Sequence, residues 1–360
     1  MKVLVINTVP FLNNGMSAII LNYYRQLKKD FKFYFVVNHF IEDYFFNYLQ
    51  EGAEVSILPN RKKTPIKYMI ALRKIIRYND FEIIHIHGNS SLMAMELLAL
   101  SKVTKAKVIV HCHGSESKYE KIEKFTRNYF YKNYDKALTV ELDKSFLFEG
   151  KEHEVIPNGI DVRKFQFSEQ SRFTIRNTLH LRQETVLIHV GRMNYQKNHF
   201  FLLKVFGEYL KLDASAKLIL VGDGKFRDEI EATLQEMNIL DSVVFTGNVT
   251  NVFEYYSAAD VFLLPSTFEP FGLVAIEAQA NGLPCIFSEK VSSCVKVSES
   301  IQYLGINEED ILNWVSEILK YSFMRKEGKH NNPTKNIAQY DIINSSYRLK
   351  QIYLDLTQNK

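Results

Sequence analysis

The amino-acid sequence predicts an α/β protein that contains two doubly wound parallel sheets. The chain has 360 residues, which is long for one hydrophobic core and suits two domains of roughly 150 to 200 residues each. Short β-rich runs alternate with segments of helical length and period in both halves, the pattern typical of parallel sheets covered by helices. Three predicted strands of the second half end directly in glycine, which permits a tight turn at the strand end.

The predicted strands fall into two series. The first series contains the runs 2–8, 31–38, 53–59, 81–88, 106–114 and 136–140. The second series contains the runs 185–192, 216–224, 242–249, 260–266 and 283–289. Each run is short, rich in β-branched or aromatic residues, and bounded by turn-forming residues.

The seam between the two series lies at EVIPNGIDVRKF, residues 154–165. Its Pro-Asn-Gly sequence, residues 157–159, forms a turn that cannot lie within a helix or strand. We therefore predict an N-terminal domain over residues 1–156 and a C-terminal domain over residues 157–339. Residues 340–360 read as one more helix, which we expect to pack back on the N-terminal domain.

Composition indicates a globular protein of a reducing compartment. Hydrophobic residues make up 46% and charged residues 24% of the chain, as in ordinary soluble domains. The three cysteines, Cys112, Cys285 and Cys294, are odd in number and lack framework spacing. The first apolar stretch is broken by Asn7 and Pro10, and no apolar run approaches the ~18 residues of a membrane span. We expect a cytoplasmic protein.

Positive charge is concentrated in the N-terminal half. Residues 1–150 carry 22 Lys and Arg against 15 Asp and Glu, a net of +7, whereas residues 151–360 carry 23 against 26, a net of −3. Much of the excess lies in residues 61–77, where basic residues interleave with apolar ones at helical spacing. Such a helix can dock on anionic lipid at the inner face of the cell membrane. The alternative is a core-facing helix with a solvated basic face. Since no nucleic-acid-binding module accompanies the charge, we expect no nucleic acid partner.

The motif VGRMNYQKN places two cations after a strand. In open α/β sheets, ligands bind outside the carboxyl ends of the strands, and two facing domains form one central cleft. Gly191 ends the strand, Arg192 follows at its tip, and Lys197 lies near the expected start of a helix. Two cations beside a helix N-terminus suit a diphosphate. The alternative interpretation is two surface cations in a loop.

The motif VGDG, residues 221–224, resembles part of a dinucleotide fingerprint. It supplies Gly222 and Gly224, but Arg227 occupies the third glycine position and no acidic residue ends the next strand. A nicotinamide dehydrogenase is therefore disfavoured. We therefore interpret VGDG as a tight turn near a ligand.

Histidines occur twice as His-x-His at the end of a predicted strand: His85 with His87, and His111 with His113. Alternation along a strand places both members of a pair on one face, so four imidazoles could converge on a metal. We favour the inner members as core histidines bonded to the backbone. His113 is the best candidate for a hydrogen bond to a ligand hydroxyl.

The segment EPFGLVAIEAQANGLP, residues 269–284, joins a buried strand to a helix. Backbone N–H groups of Phe271, Gly272 and Leu273 are free at the helix N-terminus, which makes an anion site without a charged side chain. Glu269 precedes this site, and Glu277 lies about one and a half turns into the helix. We therefore expect the two carboxylates to contact different parts of one ligand.

These motifs resemble those of retaining glycosyltransferases with the GT-B fold in glycosyltransferase family 4. PSTFEPFGLVAIEAQANGLP, IPNGID, VGRMNYQKN, VGDG and SAADVFLLPS match that family in order and spacing. GMSAIILNYYRQL and HCHG in the N-terminal half are similar to its exopolysaccharide and capsule-assembly members. The resemblance covers essentially the whole chain and implies two Rossmann-like domains that face a central cleft.

The resemblance also implies a role for each candidate residue. Arg192 and Lys197 match the pair that holds the donor diphosphate, with Gly191 and Gly222 in the same loops. Glu269 matches a glutamate that contacts hydroxyls of the transferred sugar. The other implied contacts are the Phe271, Gly272 and Leu273 N–H groups on sugar and phosphate, Glu277 on the ribose, His113 near the reacting sugar, and Gly15 near the diphosphate.

Two positions depart from the family pattern. Asn14-Gly15 stands where Gly-Gly is usual before the first helix, and Ser17 stands where an acidic residue is common, so contacts in that loop are open. The resemblance implies hexosyl transfer with retention from a nucleotide sugar, UDP favoured and GDP the alternative, to a lipid-linked acceptor, without a metal or other cofactor. The alternatives are a nucleotide-sugar epimerase of the same fold and a non-catalytic binding partner in an assembly complex.

Overall fold

The computed structural model describes residues 1–12, 14–113, 120–140, 146–326 and 335–358. It divides into two compact units. Unit 1 comprises Met1–Gly159 together with Asp341–Lys360, and unit 2 comprises Ile160–Tyr340. Each unit is built around its own parallel sheet.

Unit 1 contains a seven-stranded sheet in the order β3-β2-β1-β4-β5-β6-β7. All neighbouring strands are parallel, and the chain order reverses between β1 and β4, the place where such sheets open a crevice. The strands are β1 (Lys2–Asn7), β2 (Lys32–Asn38), β3 (Ala53–Leu58), β4 (Ile83–Gly88), β5 (Lys107–Cys112), β6 (Lys136–Thr139) and β7 (Glu154–Val155).

Helices cover both faces of this sheet. Helices α3, α4 and α5 share one apolar core with the even-numbered residues of β4, whereas α1 and α12 pack together on the opposite face, beside the β4 histidines. The helices are α1 (Gly15–Leu27), α2 (Asp43–Gln50), α3 (Pro65–Arg77), α4 (Ala94–Leu100), α5 (Glu120–Tyr131) and α12 (Ile342–Gln358).

Unit 2 contains a six-stranded parallel sheet in the order β10-β9-β8-β11-β12-β13. Its strands are β8 (Val186–Val190), β9 (Lys217–Val221), β10 (Val243–Gly247), β11 (Val261–Leu264), β12 (Cys285–Ser288) and β13 (Ile301–Leu304). Its helices are α6 (Glu169–Thr178), α7 (His199–Leu210), α8 (Arg227–Glu236), α9 (Val252–Ala258), α10 (Leu273–Ala280) and α11 (Ile311–Lys326).

The predicted fold class is confirmed. Every strand expected from the sequence is present in the expected order, because the central strands are continuous apolar runs buried on both faces, as parallel sheets require. Sequence reasoning missed β7 and β13. Strand β7 has two residues, and β13 is half-exposed on three of its four positions, so neither carries the apolar run that marks a central strand.

The chain passes between the units at two adjacent points, after Gly159 and after Tyr340. Within unit 2, the Ile160 N–H donates to the Tyr340 carbonyl over 2.8 Å. Within unit 1, a Cβ on Gly159 would lie 2.6 Å from the Ile342 Cα at the start of α12. Gly159 is therefore required by this close backbone approach rather than by the turn alone.

The basic segment 61–77 differs from its predicted form. Helix α3 begins at Pro65, and Arg61 lies outside it as a buried residue whose guanidinium forms two hydrogen bonds with the buried Glu96 carboxylate, at 2.9 and 2.8 Å. The apolar stripe also divides, since Leu72 is buried in the core whereas Ile70 is exposed. Arg61 therefore adds no charge to the surface, because the buried Glu96 binds it.

Across the described ranges, no helix combines the length and the apolar character that a membrane crossing demands.

Candidate active site

Backbone hydrogen bonds join the loops that follow β8 and β9. The Gly191 N–H donates to the Val221 carbonyl over 2.9 Å, and the Met193 N–H donates to the Asp223 carbonyl over 3.0 Å. Gly222 has φ of +123°, and a Cβ there would lie 2.3 Å from the Gly191 carbonyl oxygen. Glycine is thus needed at this position for both conformation and space.

A short 3₁₀ turn at Tyr195–Lys197 positions the Lys197 side chain. The Asn194 side chain caps this turn by accepting from the Lys197 N–H over 3.1 Å, and Asn198 then adopts a left-handed conformation that starts α7. The aliphatic part of Lys197 lies against Gly191, where a Cβ would approach its Cε within 2.9 Å. The ammonium group is therefore carried back over the end of β8.

Lys197 meets Glu269, which follows β11. The Lys197 Nζ pairs with a Glu269 carboxylate oxygen, and both side chains are nearly buried, with 12% and 11% of their surface exposed. The Ser266 hydroxyl lies 3.4 Å from the same oxygen. The Glu269 backbone is fixed by bonds to the strand-end loop at Lys290 and Ser292. The structure thus joins one residue predicted to bind phosphate and one predicted to bind sugar.

Arg192, the other predicted phosphate ligand, remains exposed. Among the residues that the structure describes, it forms no hydrogen bond or ion pair. An unpartnered guanidinium can grip two oxygens of a phosphate without first breaking an internal bond.

The N-terminus of α10 presents the backbone donors expected from the sequence. Within the described part of the chain, the N–H groups of Phe271, Gly272 and Leu273 have no protein acceptor, and the first bond of the turn runs from Ala275 to the Gly272 carbonyl over 2.9 Å. Gly272 is left-handed, with φ of +60°, and a Cβ there would press on Glu269 Cγ at 2.8 Å. The loop therefore brings Glu269 beside a positive helix end.

Glu277 lies on α10 and accepts a hydrogen bond from the Tyr256 hydroxyl over 3.0 Å. Burial raises the pKa of Glu277 to about 7, although the Tyr256 hydrogen bond and the charges of Lys197 and Lys164 act in the opposite direction. The burial of Tyr256 likewise raises the pKa of its own hydroxyl, which therefore stays a donor. Glu277 and Glu269 therefore bond to different protein partners, Tyr256 and Lys197.

Sequence reasoning missed Tyr256 as a partner of Glu277. The residue is fully buried within α9, and an aromatic residue at helical spacing is usually part of the core. Ser266 is the last residue of the predicted strand 260–266, and the sequence does not mark it as a partner of Glu269. Nothing in the linear sequence signals that either side chain touches a candidate carboxylate.

In unit 1, the loop before α1 explains the two departures from the family pattern. Asn14 is the N-cap of α1, and its side chain accepts from the Ser17 N–H over 3.0 Å. The Ser17 side chain is buried. Gly15 opens the helix, and a Cβ there would meet no atom within 4 Å. Asn14 therefore stabilises the helix start, and the space beside Gly15 is open within this unit.

The four histidines of the two His-x-His motifs form one stack, and within the described residues the expected backbone bonds are absent. His85 Nδ1 lies 2.7 Å from the Tyr353 hydroxyl, and neither ring nitrogen of His111 has a hydrogen-bond partner among the described residues. His87 is buried and its Nδ1 lies 2.8 Å from Nε2 of His113, which is partly exposed. The prediction that the inner histidines bond to the backbone is wrong, because the partner of His85 is the Tyr353 hydroxyl of α12 and His111 bonds to no described residue.

The structure therefore brings Lys197, Glu269, Gly191, Gly222 and the α10 N-terminus together within unit 2, with Glu277 on the same helix. His113 and Gly15 belong to unit 1. The residues Gly114 and Ser115, which follow His113, lie outside the described residues.

Two family models match the chain. The model described as Glycosyltransferase Family 4 matches residues 13–164, and the model described as Glycosyl transferases group 1 matches residues 171–330. Together they cover the strands and loops of both units that carry the candidate residues.

Similar proteins carry related descriptions. The glycosyltransferase EpsF of Bacillus subtilis is 32% identical over 46% of this chain, a match that spans 44% of EpsF, less than half of its length. The Escherichia coli enzyme named UDP-Gal:alpha-D-GlcNAc-diphosphoundecaprenol alpha-1,3-galactosyltransferase is 25% identical over 87% of each chain.

Solved structures share the fold. The Anabaena protein HepE, in complex with UDP and glucose, has a TM-score of 0.79 at 16% identity and covers 98% of this chain and 99% of its own. Sucrose-phosphate synthase of Thermosynechococcus elongatus has a TM-score of 0.78 at 19% identity, with 100% of both chains covered. At these identities the likeness establishes the architecture alone.

Proposed function

This chain belongs to the glycosyltransferases with a family 4 domain followed by a group 1 domain, and on that premise we propose that it moves a hexosyl group from a nucleotide sugar to a growing lipid-linked oligosaccharide. The transfer retains the anomeric configuration and serves exopolysaccharide or capsule biosynthesis. A UDP-sugar is the favoured donor and a GDP-sugar the alternative.

The observation that carries the proposal is the separation of three binding groups in unit 2. Glu269, paired with Lys197, lies before the α10 N-terminus; the free N–H groups lie at that terminus; and Glu277, bonded to Tyr256, lies further along the helix. A nucleotide sugar carries a sugar hydroxyl, a phosphate and a ribose diol in this order. The three groups need these three kinds of partner.

The protein itself supplies the positive charge that the leaving diphosphate needs. Arg192 is exposed and unpartnered in the described structure, Lys197 lies beside Glu269, and the α10 N-terminus adds backbone donors. Preorganised donors aimed at developing charge are the largest usual contribution to such catalysis. We therefore propose that transfer needs no metal, and we assign no nucleophile.

The lipid-linked acceptor is supported by the names of relatives. The Escherichia coli relative acts, by its name, on a GlcNAc-diphosphoundecaprenol, and a Campylobacter jejuni relative, 24% identical over 54% of this chain, is named for a diphospho-undecaprenol acceptor. Both names describe a saccharide on a lipid diphosphate, which would be presented at a membrane surface.

The outer face of the α3–α4–α5 layer suits such a surface. These helices pack side by side over one face of the unit 1 sheet, and they leave large apolar side chains exposed. Ile66 is 72% and Phe125 88% exposed, with Ile70, Leu98 and Ile122 also on the surface. Exposed lysines at positions 63, 67, 74 and 124 lie on or beside the same helices. Apolar groups among cations favour anionic lipid.

One incubation distinguishes this proposal from its alternatives. The chain is supplied with one UDP- or GDP-hexose and a lipid-diphosphate saccharide, and products are separated by mass and by sugar composition. A lengthened lipid-linked saccharide with an α linkage supports the proposal, an isomerised donor indicates an epimerase, and binding without chemistry indicates a non-catalytic partner. The same assay with EDTA should retain most of the activity, and its loss with recovery on added metal would contradict metal independence.

A further inference from the structure

Tyr256 is a buried residue of α9 whose hydroxyl contacts a candidate ligand-binding carboxylate, and the proposed function gives Tyr256 itself no part in binding. Its side chain is fully buried, and its hydroxyl lies 3.0 Å from Oε2 of Glu277. The Val274 carbonyl is a second acceptor at 3.4 Å. Because a phenol has one proton and an ionised carboxylate is the stronger acceptor, the nearer Glu277 oxygen takes the hydrogen bond.

The two carboxylate oxygens of Glu277 have different surroundings. Oε2 accepts from Tyr256, whereas Oε1 forms no hydrogen bond within the part of the chain that the structure describes. Glu277 is half-buried, and its Oε1 is not one of the buried oxygens that lack a partner. The protein therefore occupies one carboxylate oxygen and leaves the other open to a ligand hydroxyl.

The packing of its ring fixes the position of Tyr256. The ring lies against Phe165 and Phe262, with centroids 6.0 and 5.8 Å away, in the apolar core that α10 shares. Close-packed side chains occupy one low-energy rotamer. The hydroxyl therefore points at a fixed place on α10.

Helices α9 and α10 are also joined at a second point. Asn281, the C-cap of α10, donates from its side-chain amide to the Ser257 hydroxyl over 3.0 Å and to the Phe165 carbonyl over 3.1 Å. The Arg172 guanidinium in turn binds the carbonyls at the end of α9, among them that of Ser257 at 3.1 Å. These contacts hold the two helices together without the Tyr256 hydroxyl, whose loss should leave the helices in place.

We propose that Tyr256 is a positioning residue of the nucleotide site: it donates to Oε2 of Glu277 and so turns the carboxylate to present Oε1 to a hydroxyl of the ribose. The ribose as the ligand of Glu277 rests on the proposed function, whereas the bond between Tyr256 and Glu277 rests on the structure alone. Because Tyr256 is fully buried, it acts on the ligand only through Glu277.

The groups that act on the charge of Glu277 lie on three other segments of unit 2: Tyr256 on α9, Lys197 on the 3₁₀ turn before α7, and Lys164 in the loop before α6. Burial raises the pKa of Glu277 to about 7, and these three groups lower it. Loss of the Tyr256 hydroxyl removes a hydrogen bond to the ionised form, so it should raise the pKa of Glu277 further. Measurements at two pH values separate this change of charge from a change of position.

The chain offers a conservative variant and a matched control. Tyr256→Phe removes only the hydroxyl and keeps the ring that packs in the core. Tyr209→Phe removes the hydroxyl of another buried tyrosine, which lies 3.4 Å from the Ser322 hydroxyl in the second apolar core of unit 2. Glu277→Gln keeps the size of the side chain and removes its charge.

The test is the preference for a ribose diol, measured by calorimetric titration of the full chain with UDP and with 2′,3′-dideoxy-UDP, or with the guanine pair if the wild type binds GDP more tightly. The wild type should bind the ribonucleotide at least about tenfold more tightly, the range for a hydrogen bond to a charged group. This ratio should fall at least about threefold in Tyr256→Phe and in Glu277→Gln, and Tyr209→Phe should keep it. A damaged fold weakens both nucleotides and leaves the ratio unchanged.

Three results would overturn the proposal: a wild-type ratio in Tyr256→Phe, an equal fall of the ratio in Tyr209→Phe, or full recovery of the ratio in Tyr256→Phe at about pH 8.5. The last result would show that the hydroxyl sets only the charge of Glu277. If Glu277→Gln keeps the ratio, or if the wild type binds neither nucleotide, the proposed function fails instead. The bond is then tested by infrared titration of Glu277, identified with Glu277→Gln: protonation at higher pH in Tyr256→Phe supports it, and no shift contradicts it.

Discussion

Lys197 and Glu269 form an ion pair that lies within the loops closing the ends of β8 and β11, with both side chains almost buried. The sequence interpretation gives them different ligands, a diphosphate for Lys197 and a sugar hydroxyl for Glu269. In the structure each is the other's partner, and Ser266 contacts the same carboxylate. A donor that binds here replaces or shares this ion pair rather than entering an empty site.

Removal of Lys197 should destabilise unit 2 as well as reduce activity. Lys197→Met leaves the Glu269 carboxylate nearly buried without its cation, which should lower the free energy of unfolding by roughly 3 kcal/mol. The double variant Lys197→Met, Glu269→Gln removes both charges and should regain much of that stability while remaining inactive. Urea denaturation of both variants measures this, and a fully stable Lys197→Met would show that the pair does not form.

Arg192→Ala should affect turnover without affecting stability. The guanidinium is exposed and unpartnered in the described structure, so the free energy of unfolding should change by less than about 0.5 kcal/mol. Turnover should fall at least ~100-fold, the range for losing one preorganised contact to the transition state. Lys225→Ala, an exposed cation of the neighbouring loop, is the control. Near-wild-type turnover of Arg192→Ala would remove the residue from the site.

Glu269→Ala should likewise lower turnover at least ~100-fold, because the carboxylate is the proposed contact to the transferred sugar. Glu289→Ala, a glutamate that follows β12 and carries none of the proposed contacts, is the matched control. Steady-state kinetics with saturating donor measures both. If the Glu269 variant keeps wild-type turnover, the sugar-binding assignment is wrong.

Glu277 should make donor binding dependent on pH. Its pKa of about 7 lies above the usual value, so its carboxylate fraction rises about tenfold between pH 6 and pH 8, and the donor KM should fall accordingly. The effect on stability has the opposite sign: a raised folded-state pKa stabilises the fold below the unfolded pKa, and this contribution is lost as the pH rises through 7. Glu277→Gln should show a pH-independent donor KM over this range, and an identical profile in both proteins would contradict the role of the carboxylate.

Two glycines of the predicted donor site should respond differently to alanine. Gly222→Ala forces a Cβ to 2.3 Å from the Gly191 carbonyl at a positive φ, so it should lower the melting temperature markedly. The Cβ that Gly15→Ala adds meets no atom within 4 Å, so this variant should leave the melting temperature unchanged. Loss of stability in Gly15→Ala would contradict the open space.

Membrane affinity should depend on the exposed isoleucines of α3. The double variant Ile66→Ser, Ile70→Ser should weaken binding to vesicles of anionic lipid by at least about tenfold. The reason is that two apolar side chains are no longer transferred from water into the lipid. Leu312→Ser, at an exposed leucine of α11 in unit 2, should bind as the wild type does. Cosedimentation with anionic and zwitterionic vesicles measures this. Equal binding by both variants would show that α3 is not the contact.

The fold was largely predictable because its central strands are buried on both faces and read as continuous apolar runs. The edge strand β13 was not, since its exposed positions tolerate polar residues. The glycines at the strand ends were also predictable, but the structural reason that requires glycine there was not. Gly222 is needed because another loop backbone approaches it, and a contact between distant segments leaves no mark in the local sequence.

The candidate residues could be named from the sequence, whereas the contacts between them could not. Glu269 and Lys197 are 72 residues apart in sequence, and only the fold shows that they bind each other. The Arg61–Glu96 ion pair is a similar case, because Arg61 looks like a surface charge in a basic run. Tyr256 reads as a core residue, and its hydroxyl is assigned a partner only when α9 is placed beside α10.

Donor binding tests the central claim most directly. Calorimetric titration of the full chain with UDP-hexoses and GDP-hexoses, repeated with Glu277→Ala, measures whether unit 2 carries a nucleotide sugar. We predict saturable binding of one of these donors, with an affinity at least about tenfold weaker in Glu277→Ala. The absence of binding by any nucleotide sugar at millimolar concentration, with the protein folded, would contradict the account.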